Sequence, residues 1–150
     1  MSYKIMVING PNLNLLGQRE KEIYGTATLE EINRDLESIA ARKGVDIEFF
    51  QSNHEGELID KIHSARGDAD YLLINAAAYT HYSIAIYDAL KAVDIPFIEV
   101  HLSNLNAREP FRQQSILSSI AAGKICGLGG LSYKMALLAA CEELQGENEG

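Results

Sequence analysis

Residues 70–103 read DYLLINAAAYTHYSIAIYDALKAVDIPFIEVHLS. The stretch opens on Tyr71–Ile74, a continuous apolar run. Such a run suits a parallel strand covered on both faces, not an alternating strand with one wet side. HYSIAIYDALKAVDI, residues 81–95, then reads as a helix ended by Pro96, which lacks the amide a helix would need next. PFIEVHLS, residues 96–103, reads as the following strand. Strand, helix and strand in this order make a βαβ unit, whose two strands lie parallel.

The same alternation extends in both directions. Upstream, YKIMVIN (3–9) is a strand, TLEEINRDLESIAARKG (28–44) a helix, VDIEFFQS (45–52) a strand and EGELIDKIHSARG (55–67) a helix. Leu29, Ile32, Leu36 and Ile39 fall at helical spacing, Thr28 and Glu31 have capping-box spacing, and Gly44 is a stop signal. Downstream, QSILSSIAAG (114–123) reads as a short helix, KICGLGG (124–130) as a strand and SYKMALLAACEELQG (132–146) as a closing helix. Five βα units are too few for an eight-stranded barrel. They predict an α/β fold with a three-layer, doubly wound, five-stranded parallel sheet of flavodoxin-like order 2-1-3-4-5. One catalytic domain over residues 1–150 is expected, with a frayed polar tail at about 146–150.

Composition narrows the function. The chain is 47% hydrophobic and 23% charged, an ordinary globular balance. Thirteen Lys and Arg against 21 Asp and Glu give a net charge of −8, which disfavours nucleic acid and acidic membrane surfaces as partners. A few local arginines can still reverse the field inside one pocket, so a small anionic substrate is compatible. Cys126 and Cys141 sit in apolar surroundings and read as buried free thiols. No apolar stretch approaches 18 residues, and a reduced, cytoplasmic protein is expected.

The polar residues collect at one edge of the expected sheet. Asn9, Asn12, Asn14, Arg19 and Tyr24 follow strand one, and Ser52, Asn53 and His54 follow strand two. Asn75, Tyr79, Thr80, His81 and Ser83 follow strand three, while His101, Ser103, Asn104, Arg108 and Arg112 follow strand four. Taken singly, each has an ordinary role as a turn, surface or core residue. Their joint placement at the carboxyl ends, where open α/β sheets bind ligands, points to a site. The connection after strand one also runs from Gly10 to Ala27, far beyond the usual length of about 2–6 residues. Its first part reads as a turn that places Asn12, and residues 18–26 as a mobile lid carrying Arg19 and Tyr24.

Several chemistries are disfavoured. No G-x-G-x-x-G or Walker loop follows a strand, and no Ser occupies a G-x-S-x-G elbow. No metal-ligand cluster is visible. A signalling receiver would need an acidic pair after strand one and an Asp after strand three, where Asn9, Asn12 and Asn75 stand instead. His, Tyr, Arg, Asn and Ser suit proton transfer on a polar small molecule. Glu99 lies two residues before His101, so both side chains leave the same face of a strand and can pair.

NGPNLNLLGQRE (9–20) with Tyr24-Gly25, FFQSNHEGELIDKIH (49–63), LINAAAYTHYS (73–83) and EVHLSNLNAREPFRQQS (99–115) closely resemble the type II 3-dehydroquinate dehydratases. The resemblance extends over about Lys4 to Glu142. It implies a cofactor- and metal-independent lyase that eliminates water from 3-dehydroquinate through an enolate, giving 3-dehydroshikimate. Such enzymes serve the shikimate pathway of aromatic amino acid biosynthesis or quinate catabolism.

By this resemblance Tyr24 is the base, Arg19 the essential arginine beside it, and Asn12 the holder of a water against the enolate oxygen. His101 protonates the leaving hydroxyl and Glu99 orients it. Asn75, His81 and Arg112 bind substrate hydroxyls, while the Leu102 backbone and Ser103 take the carboxylate. Asp88 reaches in from a neighbouring subunit of a dodecamer built from trimers. Arg108 supports Tyr24, since a free tyrosine has a pKa of about 10 and a tyrosine base needs cations nearby. The sequence departs from the commonest pattern at Ala76 and Ala77, where Pro and Gly are usual, and at Tyr82, Tyr87, Pro110 and Ser132.

Overall fold

The computed structural model describes residues 2–146. The strands are β1 (Lys4–Asn9), β2 (Asp46–Gln51), β3 (Tyr71–Asn75), β4 (Phe97–His101) and β5 (Gly123–Cys126). They pair in parallel in the order β2-β1-β3-β4-β5, as the βα alternation predicts. Of the expected tail, residues 147–150 lie outside the described residues, and Gly146 is the last residue of a helix.

The helices are α1 (Lys21–Tyr24), α2 (Leu29–Lys43), α3 (Glu55–Ser64), α4 (Ile84–Val93) and α5 (Leu131–Gly146). Strand side chains alternate between the two faces of the sheet. Ile5, Val7, Leu73 and Val100 pack with Leu36 of α2 and Leu137 of α5 on one face. Met6, Ile8, Leu72 and Ile74 pack with Leu58 of α3 and Leu90 of α4 on the other. Full burial of one such side chain contributes about 1.5–3 kcal/mol. That contribution makes the sheet the rigid platform for everything at its carboxyl edge.

Helix ends follow the local signals. The Thr28 hydroxyl accepts from the Glu31 amide at 3.2 Å, and Gly44 closes α2 in the left-handed conformation. The helix expected over 81–95 is shorter, because Ser83 caps Ile86 at 3.0 Å and Asp94 turns left-handed, so α4 spans Ile84–Val93. Ala77–His81 form a 3-10 turn instead. The expected fifth strand likewise ends early, at Cys126.

The helix expected over 114–123 does not form. Ser115 accepts from the Leu117 amide at 3.2 Å, the Ile116 amide donates to the Thr80 carbonyl at 3.1 Å, and the Ser118 hydroxyl donates to Glu99 at 2.6 Å. Serines compete with helical hydrogen bonding in this way. Leu117, fully buried, then pins the segment, which runs through bends and a turn closed by the Ile120 amide on the Leu117 carbonyl at 3.1 Å. Cys141 is buried and free, and burial pushes its thiol pKa up. Cys126 is also free but half-buried, because it ends an edge strand and not a core one.

Candidate active site

Adjacent strand ends meet at the central pair of the sheet. Asn9 of β1 is in register with Asn75 of β3. One residue on, the Gly10 amide donates to the Asn75 carbonyl at 2.7 Å. A Cβ at Gly10 would stand 2.5 Å from the Ala76 carbonyl oxygen, so only glycine lets the two chains approach this closely. The chain then turns through Asn12, which is left-handed at φ 70°. Asn accepts that conformation better than most residues. Asn53 fixes the turn. Its Oδ1 accepts from the Asn12 amide at 2.9 Å and from Gln51 at 3.2 Å, and its carbonyl accepts from the Tyr79 hydroxyl at 3.1 Å.

A cleft opens above these strand ends. Asn12, Arg19, Tyr24, Asn75, His81 and His101 line it, joined by Leu102, Ser103, Arg108 and Arg112. Two residues expected at the site stand apart. Glu99 is fully buried behind His101, and Asp88 is exposed on α4, away from the cleft of its own chain.

The connection after β1 is more ordered than a bare lid. It holds a 3-10 turn at Leu13–Leu15 and the short helix α1, which ends at Tyr24. Arg19 Nη2 donates to the Tyr24 hydroxyl oxygen at 3.3 Å, and its guanidinium carbon lies 4.5 Å from the ring centroid. The Arg108 guanidinium carbon lies 5.1 Å from the same centroid. Two cations therefore face one phenol, Arg19 at both its oxygen and its ring and Arg108 at its ring.

Opposite, His101 Nε2 lies 2.5 Å from Glu99 Oε2, as the two-residue spacing predicts. Burial alone would raise the Glu99 pKa. The hydrogen bonds from His101 and Ser118 outweigh it and hold the carboxyl below the usual range. With Nε2 engaged, Nδ1 is the His101 nitrogen left for a ligand. His81 Nδ1 donates to the Gln114 carbonyl at 2.8 Å. Burial, with His101 and Arg112 nearby, pushes the His81 pKa down against the opposing pull of Gln114 and Glu99. Neutral His81 thus presents Nε2 as an acceptor.

Ser103 is buried and accepts from Arg108 Nη1 at 3.4 Å, while Arg112 pairs with Glu109 at 2.8 Å. A buried network inaccessible to short-range sequence reading supports Asn75. Tyr133 of α5, fully buried, accepts from Asn75 Nδ2 at 2.9 Å and donates to Asn9 Oδ1 at 2.6 Å. Burial pushes the Tyr133 pKa up, so it stays a neutral donor. The one available signal was a tyrosine inside an apolar helical run, because a buried hydroxyl needs a partner. Among the described residues, no group of three or more His, Cys, Asp or Glu side chains is arranged to hold a metal ion. No helix among them is long and apolar enough to cross a membrane.

Two departures from the common pattern gain a physical account. Ser132 is buried, and its hydroxyl accepts from the Leu128 amide at 3.1 Å. Ala77 sits at φ 53°, with its amide donated to Asn75 Oδ1 at 3.1 Å. A left-handed alanine costs about 1–2 kcal/mol, partly offset by the smaller chain entropy it loses on folding. Ala77→Gly should therefore raise the unfolding free energy by about 0.5–1 kcal/mol, read from the urea midpoint at unchanged m-value.

Comparisons with known proteins agree over nearly the whole chain. A family model described as Dehydroquinase class II matches residues 3–141. The 3-dehydroquinate dehydratase of Aeromonas salmonicida is 57% identical over 144 residues, 96% of this chain and 97% of that protein. The 3-dehydroquinate dehydratase of Pseudomonas syringae pv. syringae is 59% identical over 141 residues, 93% and 94% of the two chains. Among solved structures, the type II dehydroquinase of Butyrivibrio crossotus superposes with a TM-score of 0.89 at 48% identity, covering 91% of this chain and 95% of that one.

Proposed function

The chain belongs to the class II dehydroquinase family, and we propose that it eliminates water from 3-dehydroquinate through an enolate, with Tyr24 as base and His101 as acid. The observation that carries this reading is one cleft with a phenol between two guanidiniums on one side and a carboxylate-paired imidazole on the other.

The Tyr24 phenolate takes the proton from the carbon beside the ketone, and the electrons of that C–H bond move onto the ketone oxygen. Asn12, held by Asn53, presents a bound water to the resulting enolate, so the donor is in place before charge develops. The enolate collapses, the bond to the hydroxyl on the next carbon breaks, and His101 protonates that oxygen as it leaves as water. The products are 3-dehydroshikimate, a neutral Tyr24 and a neutral His101. A proton passed from Tyr24 to His101 through solvent resets both groups. Glu99 fixes the imidazole ring through its contact with Nε2.

Arg112, neutral His81 and Asn75 bind the remaining hydroxyls. The Leu102 amide and Ser103 receive the substrate carboxylate. Residues 18–26 act as the lid, carrying Arg19 and Tyr24 over the substrate and excluding water. Asp88 serves a neighbouring subunit in a dodecamer built from trimers. Its exposure outside its own cleft, next to the exposed apolar side chains of Tyr82 and Ile84, supports that role.

Adding 3-dehydroquinate to the purified protein should produce the ultraviolet enone absorbance of 3-dehydroshikimate, in a preparation that sediments as a trimer-based assembly. No absorbance change between mild acid and mild base overturns the assigned reaction, and a fully active monomer overturns the role of Asp88.

A further inference from the structure

We infer that Ser118 is a positioning residue for the acid, its hydroxyl holding the Glu99 carboxylate in the orientation that leaves Oε2 to His101. This inference rests on the dehydratase reading and assigns a residue that reading does not use.

The geometry divides the carboxylate cleanly. Ser118 Oγ donates to Oε1 at 2.6 Å, while Oε2 lies 2.5 Å from His101 Nε2. Glu99 has no exposed surface, so protein donors must satisfy its oxygens. The groups facing it come from every neighbouring element. His101 shares its strand, and Lys124 Nζ lies 4.0 Å from Oε2 on β5, in register with Glu99. His81 interacts with it electrostatically from the turn after β3, and Ser115 and Ser118 reach it from the connection before β5.

Lys124 competes with His101 for the same oxygen. A carboxylate freed at Oε1 can rotate toward the lysine, and the imidazole then loses its fixed partner. Ser118 prevents this by occupying Oε1. The failure of residues 114–122 to form a helix has the same origin, because that path places the Ser118 hydroxyl over the carboxylate and not along a helix surface.

Ser118→Ala should lower kcat for 3-dehydroquinate about tenfold, the effect of one charge-assisted hydrogen bond expressed in the transition state, with KM within about twofold. Glu99 is held below the usual range by the hydrogen bonds it accepts, so removing one donor raises the pH at which it takes up a proton. The Glu99 carboxyl carbon followed by 13C NMR should therefore titrate at higher pH in Ser118→Ala, a readout that needs no turnover. Ser118→Thr, which keeps the hydroxyl, should restore both rate and titration. If the parent chain shows no dehydratase activity, the assigned reaction fails while the NMR titration still decides the anchor. An unmoved titration overturns the inference, as does a Thr variant as slow as the Ala variant.

Discussion

Tyr24→Phe is expected to lower kcat by about 10³-fold, within the span assigned to a positioned general base, while leaving the melting temperature unchanged. The substitution removes one oxygen and keeps the ring, so the stacking of Arg19 and Arg108 on its faces survives. Tyr24 is half-buried at the end of a four-residue helix, and its hydroxyl oxygen accepts from the Arg19 side chain. Little folding energy therefore depends on that oxygen. Initial rates from enone absorbance, beside a thermal melt followed by circular dichroism, separate the two effects. A Phe variant within about tenfold of the parent rate would falsify the assignment of Tyr24 as base, since loss of such a base costs at least about 10²-fold.

The second large effect is expected at Arg19. Arg19→Ala removes a donor to the Tyr24 oxygen, a positive charge beside it and the cover over one ring face. Deleting one preorganised donor at a site of developing charge costs about 10²–10³-fold in kcat. The Arg108 guanidinium remains 5.1 Å from the ring, so some stabilisation of the phenolate persists and the loss should be smaller than in Tyr24→Phe. Arg19→Lys should recover only part of the rate, because an ammonium keeps the charge and loses the planar fork. Equal rates for the Lys and Ala variants would show that fork geometry, and not charge, carries the effect. An Ala variant at parental rate would remove Arg19 from the mechanism.

Much of the site was legible because it depends on chain direction and short spacing. Parallel strands put all their carboxyl ends on one edge, so residues following each strand must gather there. Asn12, Asn75, His101 and Arg108 could be placed on that edge from strand boundaries alone, and the structure lines one cleft with them. The pairing of Glu99 with His101 follows from the two-residue period of a strand. The long connection after β1 announced itself by length, although its short helix at Lys21–Tyr24 did not.

What escaped was partner choice across long separations. QSILSSIAAG carries an adequate helical pattern, but Ser118 finds Glu99 across 19 residues and Ile116 finds Thr80. Tyr133 reaches Asn75 across 58 residues and Asn9 across 124, and no local pattern records either bond. The left-handed backbone at Ala77 was hidden for a related reason, since alanine gives no sign of positive φ.

By itself, then, the sequence determined the alternation of elements, the parallel sheet and the edge on which the chemistry lies, because hydrophobic periodicity and chain direction act over a few residues. Only the tertiary structure decided that Ser118 holds Glu99, that Tyr133 holds Asn75, and that the segment before β5 forms no helix. Those outcomes depend on which donors and acceptors are buried together once the layers have packed, and burial makes each unmade hydrogen bond cost about 1–3 kcal/mol.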